Sequence, residues 1–236
     1  MICARHDGPL FGESRAQAEL HLTATLSVPR GATGLILVIQ AVGGREPSAF
    51  QQGAVDALRS AGFATCLVDL LDPEEADEDD CRTDIDLLTE RLERVIEFLA
   101  VSPQTWHLPV GVLAADIAAA AAVPLAAERP DLIRTVASCC GRPDLSLAHA
   151  ADVDVPVLLI VPARDANLLD ANEQFFLKLR CTSQLALVAP PARPLSATDA
   201  LLASEKVLRQ WYRRHMRAGD AARQGETSGR GARADD

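Results

Sequence analysis

The sequence predicts an α/β fold built on a doubly wound, mostly parallel β-sheet. Three observations carry that expectation. Short apolar runs alternate with amphipathic stretches along nearly the whole chain, the pattern left by strands joined through crossover helices. Several runs, such as residues 34–40 and 155–161, are almost wholly apolar, as strands are when helices cover both faces of their sheet. At 236 residues, 48% of them hydrophobic, the chain is long enough to bury one substantial core.

Each element follows from its own residues. In residues 19–28, Leu20, Leu22, Ala24, Leu26 and Val28 alternate with polar neighbours, which marks a half-solvated strand at a sheet edge. Residues 34–40 form a buried strand, and a loop at 41–45 leads to a helix at 48–60, stopped by Gly62. Residues 63–69 are the next strand. The acidic run 74–80 reads as a solvated surface loop. Ile85, Leu88, Leu92, Val95, Ile96 and Leu99 recur at helical spacing. Strands at 108–113, 132–138, 155–161 and 184–188 then alternate with helices at 116–128, 167–179 and 198–217, for seven or eight strands in all. Neither a repeat nor a linker interrupts residues 1–217, which are expected to form a single domain. Residues 218–236 contain no apolar side chain larger than Ala. They cannot bury enough surface to offset their ordering entropy, and a disordered tail is expected.

Charge and composition exclude several classes of function. With 33 acidic residues against 23 basic ones and a net charge of −10, the chain lacks the basic surface that nucleic acid or an anionic membrane requires. No apolar run reaches the roughly 18 to 20 residues of a membrane span. Arg5, His6 and Asp7 stand where a signal peptide would be apolar, so a cytoplasmic protein is expected. The six cysteines show neither C-x-x-C nor zinc-ligand spacing, and no metal or cofactor is expected. They read as small core residues, with Cys139 and Cys140 pointing to opposite faces of a strand.

Sites in a doubly wound sheet form at the C-terminal ends of its strands. At one such end, Val110-Gly-Val-Leu-Ala-Ala-Asp-Ile-Ala118 runs straight from a strand into an alanine-rich helix, with one polar residue at the turn. That is the layout of a nucleophile elbow. Here the chain resembles the α/β-hydrolase fold, and most closely its small, lidless dienelactone-hydrolase-like members. Gly62-Phe-Ala-Thr-Cys-Leu-Val-Asp-Leu-Leu71, Cys140-Gly-Arg-Pro-Asp-Leu145 and Val155-Pro-Val-Leu-Leu-Ile-Val-Pro-Ala-Arg-Asp165 are the matching phrases. Arg45 matches the end of the loop after the strand at 34–40.

The resemblance implies a serine hydrolase, but the matching catalytic positions differ. The family's G-x-S-x-G becomes Ala114-Ala-Asp-Ile-Ala118, which puts Asp116 at the serine's position. The acid position falls on Asp165 and is kept. The histidine position falls on Arg193, within Val188-Ala-Pro-Pro-Ala-Arg-Pro-Leu195, and the His-Gly that often opens the first loop is replaced by Ile39-Gln40. Serine needs a base to lose its proton, and a guanidinium cannot act as one. A carboxylate at 116 could attack directly, but its ester would still need a histidine to activate water. His6, His21, His107, His149 and His215 all lie elsewhere in the sequence.

Asp116 is therefore open to three readings: a structural replacement that tolerates positive φ and caps the following helix, a nucleophile, or a binding residue. Asp165 and Arg193 suit each other as an ion pair in place of the lost triad. Ser138 and Ser146 offer a displaced serine only without an elbow around them. The sequence thus favours a non-catalytic hydrolase-fold protein that binds a small molecule or a protein in the old cleft. The alternative is a hydrolase of esters, lactones or carbon–halogen bonds acting through Asp116. The Ile117 N–H and the loop from Gln40 to Gly44 would be its oxyanion donors.

Overall fold

The computed structural model describes residues 6–7, 22, 24–44, 49–188 and 197–216. The expected tail at 218–236 lies outside them. Among the described residues eight strands form one sheet: β1 (His6–Asp7), β2 (Ala24–Ser27), β3 (Leu35–Gln40), β4 (Ala64–Asp69), β5 (Val110–Ala115), β6 (Thr135–Cys139), β7 (Val157–Pro162) and β8 (Ser183–Val188). Their order across the sheet is β1-β2-β4-β3-β5-β6-β7-β8. Strands β3 to β8 run parallel, while β2 joins β4 antiparallel. The sequence placed residues 19–28 at the sheet edge. The structure puts β2 one place further in, because β1 pairs outside it. A two-residue strand carries no periodicity from which it could be read.

Among the described residues five helices cover the two faces. On one face, α1 (Ala49–Ser60) and α6 (Ala197–His215) pack Phe50, Leu58, Leu208, Trp211 and Tyr212 against Ile36, Leu113 and Ile160. On the other, α3 (Ile85–Val101), α4 (Ala118–Glu128) and α5 (Ala166–Lys178) bury Leu88, Leu92, Ala122 and Phe175 against Leu37, Val112 and Leu159. The central strands β3, β4, β5, β6 and β7 are buried along their whole length, as their apolar runs predicted. No helix of the described residues is long and apolar enough to cross a membrane. No lid stands over the strand ends among them.

Two local arrangements repair what the sequence would otherwise leave open. Helix α4 contains Pro124, which has no N–H to give the carbonyl four residues back. That carbonyl belongs to Ala120, and the buried Ser146 hydroxyl donates to it at 2.9 Å. The acidic run is also more ordered than a solvated loop. It forms a 3₁₀ turn at Glu75–Asp77 and opens α2 (Asp79–Thr83). The Asp72 carboxylate accepts from the Glu74 and Glu75 N–H groups at 2.8 and 2.9 Å. Glu75 in turn accepts from Arg91 at 2.6 Å. Charge clustering alone did not reveal that one of these carboxylates has a buried arginine beneath it.

Candidate functional site at the strand ends

The C-terminal ends of β3 to β7 converge, as the topology requires. Strand β5 runs into α4 through Asp116, whose φ is 49°. Few residues adopt that left-handed conformation, and Asp is among the more tolerant. The turn is a nucleophile elbow in its backbone, with Ala114 and Ala118 fully buried on either side. The Asp116 carbonyl accepts from the N–H groups of Ala119, at 3.3 Å, and Arg142, at 3.0 Å. The second bond ties the elbow to the loop leaving β6.

Asp116 has the positive φ expected of the elbow, but it does not cap α4. The N-cap of α4 is Ile117, with no side-chain hydrogen bond, and among the described residues no donor is found for the Asp116 carboxylate. Asp116 keeps an exposed face, yet the surrounding side chains desolvate its carboxyl and push its pKa upward. An N-cap residue usually has an extended backbone, whereas Asp116 is left-handed.

The loop after β3 differs from its expected role. The Asp69 carboxylate at the end of β4 accepts from Gln40 Nε2 at 3.1 Å, from the Val42 and Gly44 N–H groups at 3.0 Å each, and from Leu71 N–H at 3.3 Å. The Gln40 side chain and two loop N–H groups proposed as oxyanion donors are thus already committed to an internal carboxylate. Gly43 is held nearby at φ 66°, where a Cβ would lie 2.3 Å from Ala76 Cβ. One signal for Asp69 was present in the sequence: a carboxylate closing a largely apolar strand.

Asp165 is the N-cap of α5, its carboxylate accepting from Leu168 N–H at 3.0 Å. Arg193, read as its partner, lies outside the described residues, as does Arg45. Ser146 is committed to Ala120. Ser138 is buried without a hydrogen-bond partner. Among the described residues no group of three or more His, Cys, Asp or Glu side chains could hold a metal ion.

The exit from β6 corrects a further expectation. Along this strand Ala137 and Cys139 face the layer of α1 and α6, and Val136 faces the opposite one. Alternation would send Cys140 to the opposite face from Cys139. Instead Cys140 takes φ 52°, and its side chain packs on the same layer as Cys139. The neighbouring Cys140 thiol and burial push the Cys139 thiol well above its ordinary value. Asn172 Nδ2 donates to the next carbonyl, that of Gly141, at 3.1 Å. Gly141 has no room for a side chain, since a Cβ would lie 2.2 Å from Ser138 Oγ and 2.4 Å from Ala119 Cβ.

No family model matches the chain. Among solved structures it is similar to a dienelactone hydrolase from Anabaena variabilis, with 31% identity, a TM-score of 0.80, and coverage of 91% of this chain and 99% of that one. A dienelactone hydrolase-like promiscuous phosphotriesterase from metagenomic libraries shares the fold at 13% identity, with a TM-score of 0.64 and coverage of 82% and 92%. Two proteins from strains of Mycobacterium tuberculosis, provisionally named phosphoribosyl transferases, are 34% identical over 191 residues. That match takes in 81% of this chain but only 43% of each relative.

Proposed function

The chain belongs to the dienelactone hydrolase family of the α/β hydrolases, and from that premise we propose that it is a non-catalytic member, binding a small molecule or a protein at the strand ends. The observation that carries this reading is Asp116. The elbow keeps the left-handed backbone that presents a nucleophile, but the side chain it presents is a carboxylate. When ionised, that group repels the oxyanion which an acyl-transfer site must hold. The commitment of the Val42 and Gly44 N–H groups to Asp69 supports the same reading, as does arginine at the position matching the histidine.

A hydrolase acting through Asp116 on esters, lactones or carbon–halogen bonds is the competing reading. A screen of activated esters and thioesters, run beside a thermal-shift ligand screen, separates the two. Ligand-induced stabilisation without turnover is expected. Turnover that disappears in Asp116→Ala would overturn the non-catalytic reading.

The lengths of the Mycobacterium relatives favour a protein partner. The match covers less than half of each, so a hydrolase-like part is joined there to a larger remainder, under a transferase name. We read the partner of this chain accordingly as a phosphoribosyl transferase. Co-migration in size exclusion with the remainder of one relative, produced as a separate protein, tests this; independent elution would exclude it.

A further inference from the structure

The reading above leaves the opposite end of the sheet without a role. Three neighbouring strands begin there, β4 after Phe63, β3 after Gly34 and β5 after Pro109. The last turn of α6 and the residue after it pack against these strand starts. Glycines let them approach: a Cβ at Gly34 would lie 2.7 Å from Met216 Cε, and one at Gly111 would lie 3.0 Å from Met216 Sδ. Between the strand starts and α6 lies a cavity of about 530 Å³, within the size range of small-molecule sites.

Its interior and its rim differ in chemistry. Phe63, Leu108, Tyr212 and Met216 are buried and line the interior. The Phe63 and Tyr212 rings meet edge to face, with centroids 6.0 Å apart. Thr33, His107 and Arg213 are exposed and line the rim. Among the described residues that line the cavity none is acidic, in a chain with 33 acidic residues against 23 basic ones. Trp106, 67% exposed, lies edge-on to His107 at a centroid distance of 5.6 Å. Tryptophan is highly buried on average, so a ring this open beside a cavity is a further apolar surface at its rim.

We propose that this cavity binds an aromatic carboxylate, with its ring against Phe63 and Tyr212 and its carboxylate received at the rim by Arg213 and His107. Each part of the ligand answers a feature of the cavity. The Arg213 guanidinium is always charged, and its N–H groups form a fork that fits a carboxylate. The His107 ring adds an N–H donor, whichever nitrogen carries the proton. One guanidinium and one imidazole suit a monoanion, and a net charge of −10 opposes a more highly charged ligand. An incoming ring can meet Phe63 and Tyr212 edge to face and rest against the Met216 thioether, which is soft and adaptable. The residues beyond Met216 offer no equivalent occupant, since 217–236 contain no apolar side chain larger than Ala. The site is also separate from the cleft. Strand β5 runs from Val110, beside the cavity, to Ala115, before the elbow, and its six residues put about 20 Å between the two. The proposal therefore does not rest on the reading of Asp116.

Amide chemical shifts of the full chain, followed by NMR through a titration with naphthoate, test the proposal. Saturable shifts are expected at Thr33, Leu108 and Arg213, while the signals of Asp116, Ile117 and Ala118 stay in place. In Arg213→Gln, a change at an exposed position, affinity should fall about tenfold or more, as for the loss of a hydrogen bond to a charged group. Naphthylmethanol, which keeps the ring and lacks the charge, should bind the unmodified chain more weakly by a similar factor. Decanoate, which keeps the charge and lacks the ring, should also bind more weakly than naphthoate. Unmoved signals at Thr33, Leu108 and Arg213 would overturn the proposal, as would shifts centred on Asp116. Equal binding by Arg213→Gln or of naphthylmethanol would refute the carboxylate, and equal binding of decanoate would refute the aromatic ring. Because signals at the rim and at the elbow are read separately, failure here does not bear on the function proposed for the cleft.

Discussion

Asp116 and Cys140 stand side by side at the ends of neighbouring parallel strands, and both are left-handed. Ala115 of β5 is in register with Cys139 of β6; both strands end there, and the next residue of each is left-handed, at φ 49° for Asp116 and 52° for Cys140. They are the two non-glycine residues with positive φ among the described ones. Parallel strands lie about 4.8 Å apart, so the two left-handed turns are one structural feature. The Arg142–Asp116 backbone bond closes it, and Gly141 lets it close by having no side chain to collide with Ser138 and Ala119. Strain concentrated in this way is a common property of functional sites.

Asp116→Asn is expected to raise the melting temperature at neutral pH. Desolvation lifts the Asp116 carboxyl above its ordinary value, so the folded chain retains a proton that the unfolded chain has already released. Within that window the folded state binds more protons, and stability falls as pH rises through it. The penalty is complete above the folded pKa and absent below the unfolded value of about 3.9. Asn carries no such penalty and tolerates the same backbone. Thermal melts at neutral pH and near pH 3 check this: an equal gain at both would show that desolvation is not the cause. Asp116→Val, β-branched at positive φ, should lose about 1–3 kcal/mol.

Ser146→Ala should destabilise the chain by about 1–3 kcal/mol, the cost of leaving the buried Ala120 carbonyl without a donor. The loss should shrink in a Pro124→Ala background, where residue 124 regains an N–H that can bond Ala120 within α4. A double-mutant cycle from denaturant melts measures the coupling. Additive effects would mean that Ser146 does not compensate for the proline.

Glu75→Gln should cost about 1–2 kcal/mol at neutral pH, between the worth of an exposed pair and a buried one. The hydrogen bond from Arg91 holds the Glu75 carboxyl below its ordinary value, and Arg91 also donates to the Leu70 carbonyl at 2.8 Å. A depressed folded pKa stabilises fully above the unfolded value of about 4.3. That contribution is lost as pH falls through the folded value. The difference between wild type and variant should therefore disappear in acid. A difference that persisted at low pH would place its origin in packing rather than charge.

The layers and the alternation of strands with helices were legible in the sequence because buried parallel strands and amphipathic helices leave strong periodicities, as at 34–40 and 85–99. The elbow was legible too, since a strand meeting an alanine-rich helix at one polar residue has few other structural meanings. What escaped depended on contacts between distant residues. Nothing near Asp69 in sequence shows that its carboxylate gathers the N–H groups of a loop 25 and 27 residues earlier. Strand alternation, sound as far as Cys139, predicted the wrong face for Cys140 because a single φ reverses it. The short β1 and the order within the acidic run were set by partners elsewhere in the chain.

Asp69→Asn tests whether the loop after β3 is a scaffold or a latent oxyanion hole. The Asp69 carboxylate receives three backbone N–H groups and the Gln40 amide, and it is buried. An asparagine replaces one accepting oxygen with an NH₂ group that faces donors, so at least one buried N–H loses its acceptor. A hydrogen bond to a charged group contributes about 1.5–3 kcal/mol, and the expected destabilisation is of that order. If the loop were a latent oxyanion hole, releasing the Val42 or Gly44 N–H would raise esterase activity while stability fell. With Asp116 still at the elbow, no serine stands there to attack a carbonyl carbon, and the position matching the histidine is Arg193. Loss of stability with no gain in the hydrolysis of activated esters is therefore expected. A rate above that of the unmodified protein, measured below the melting temperature of the variant, would restore the hydrolase reading.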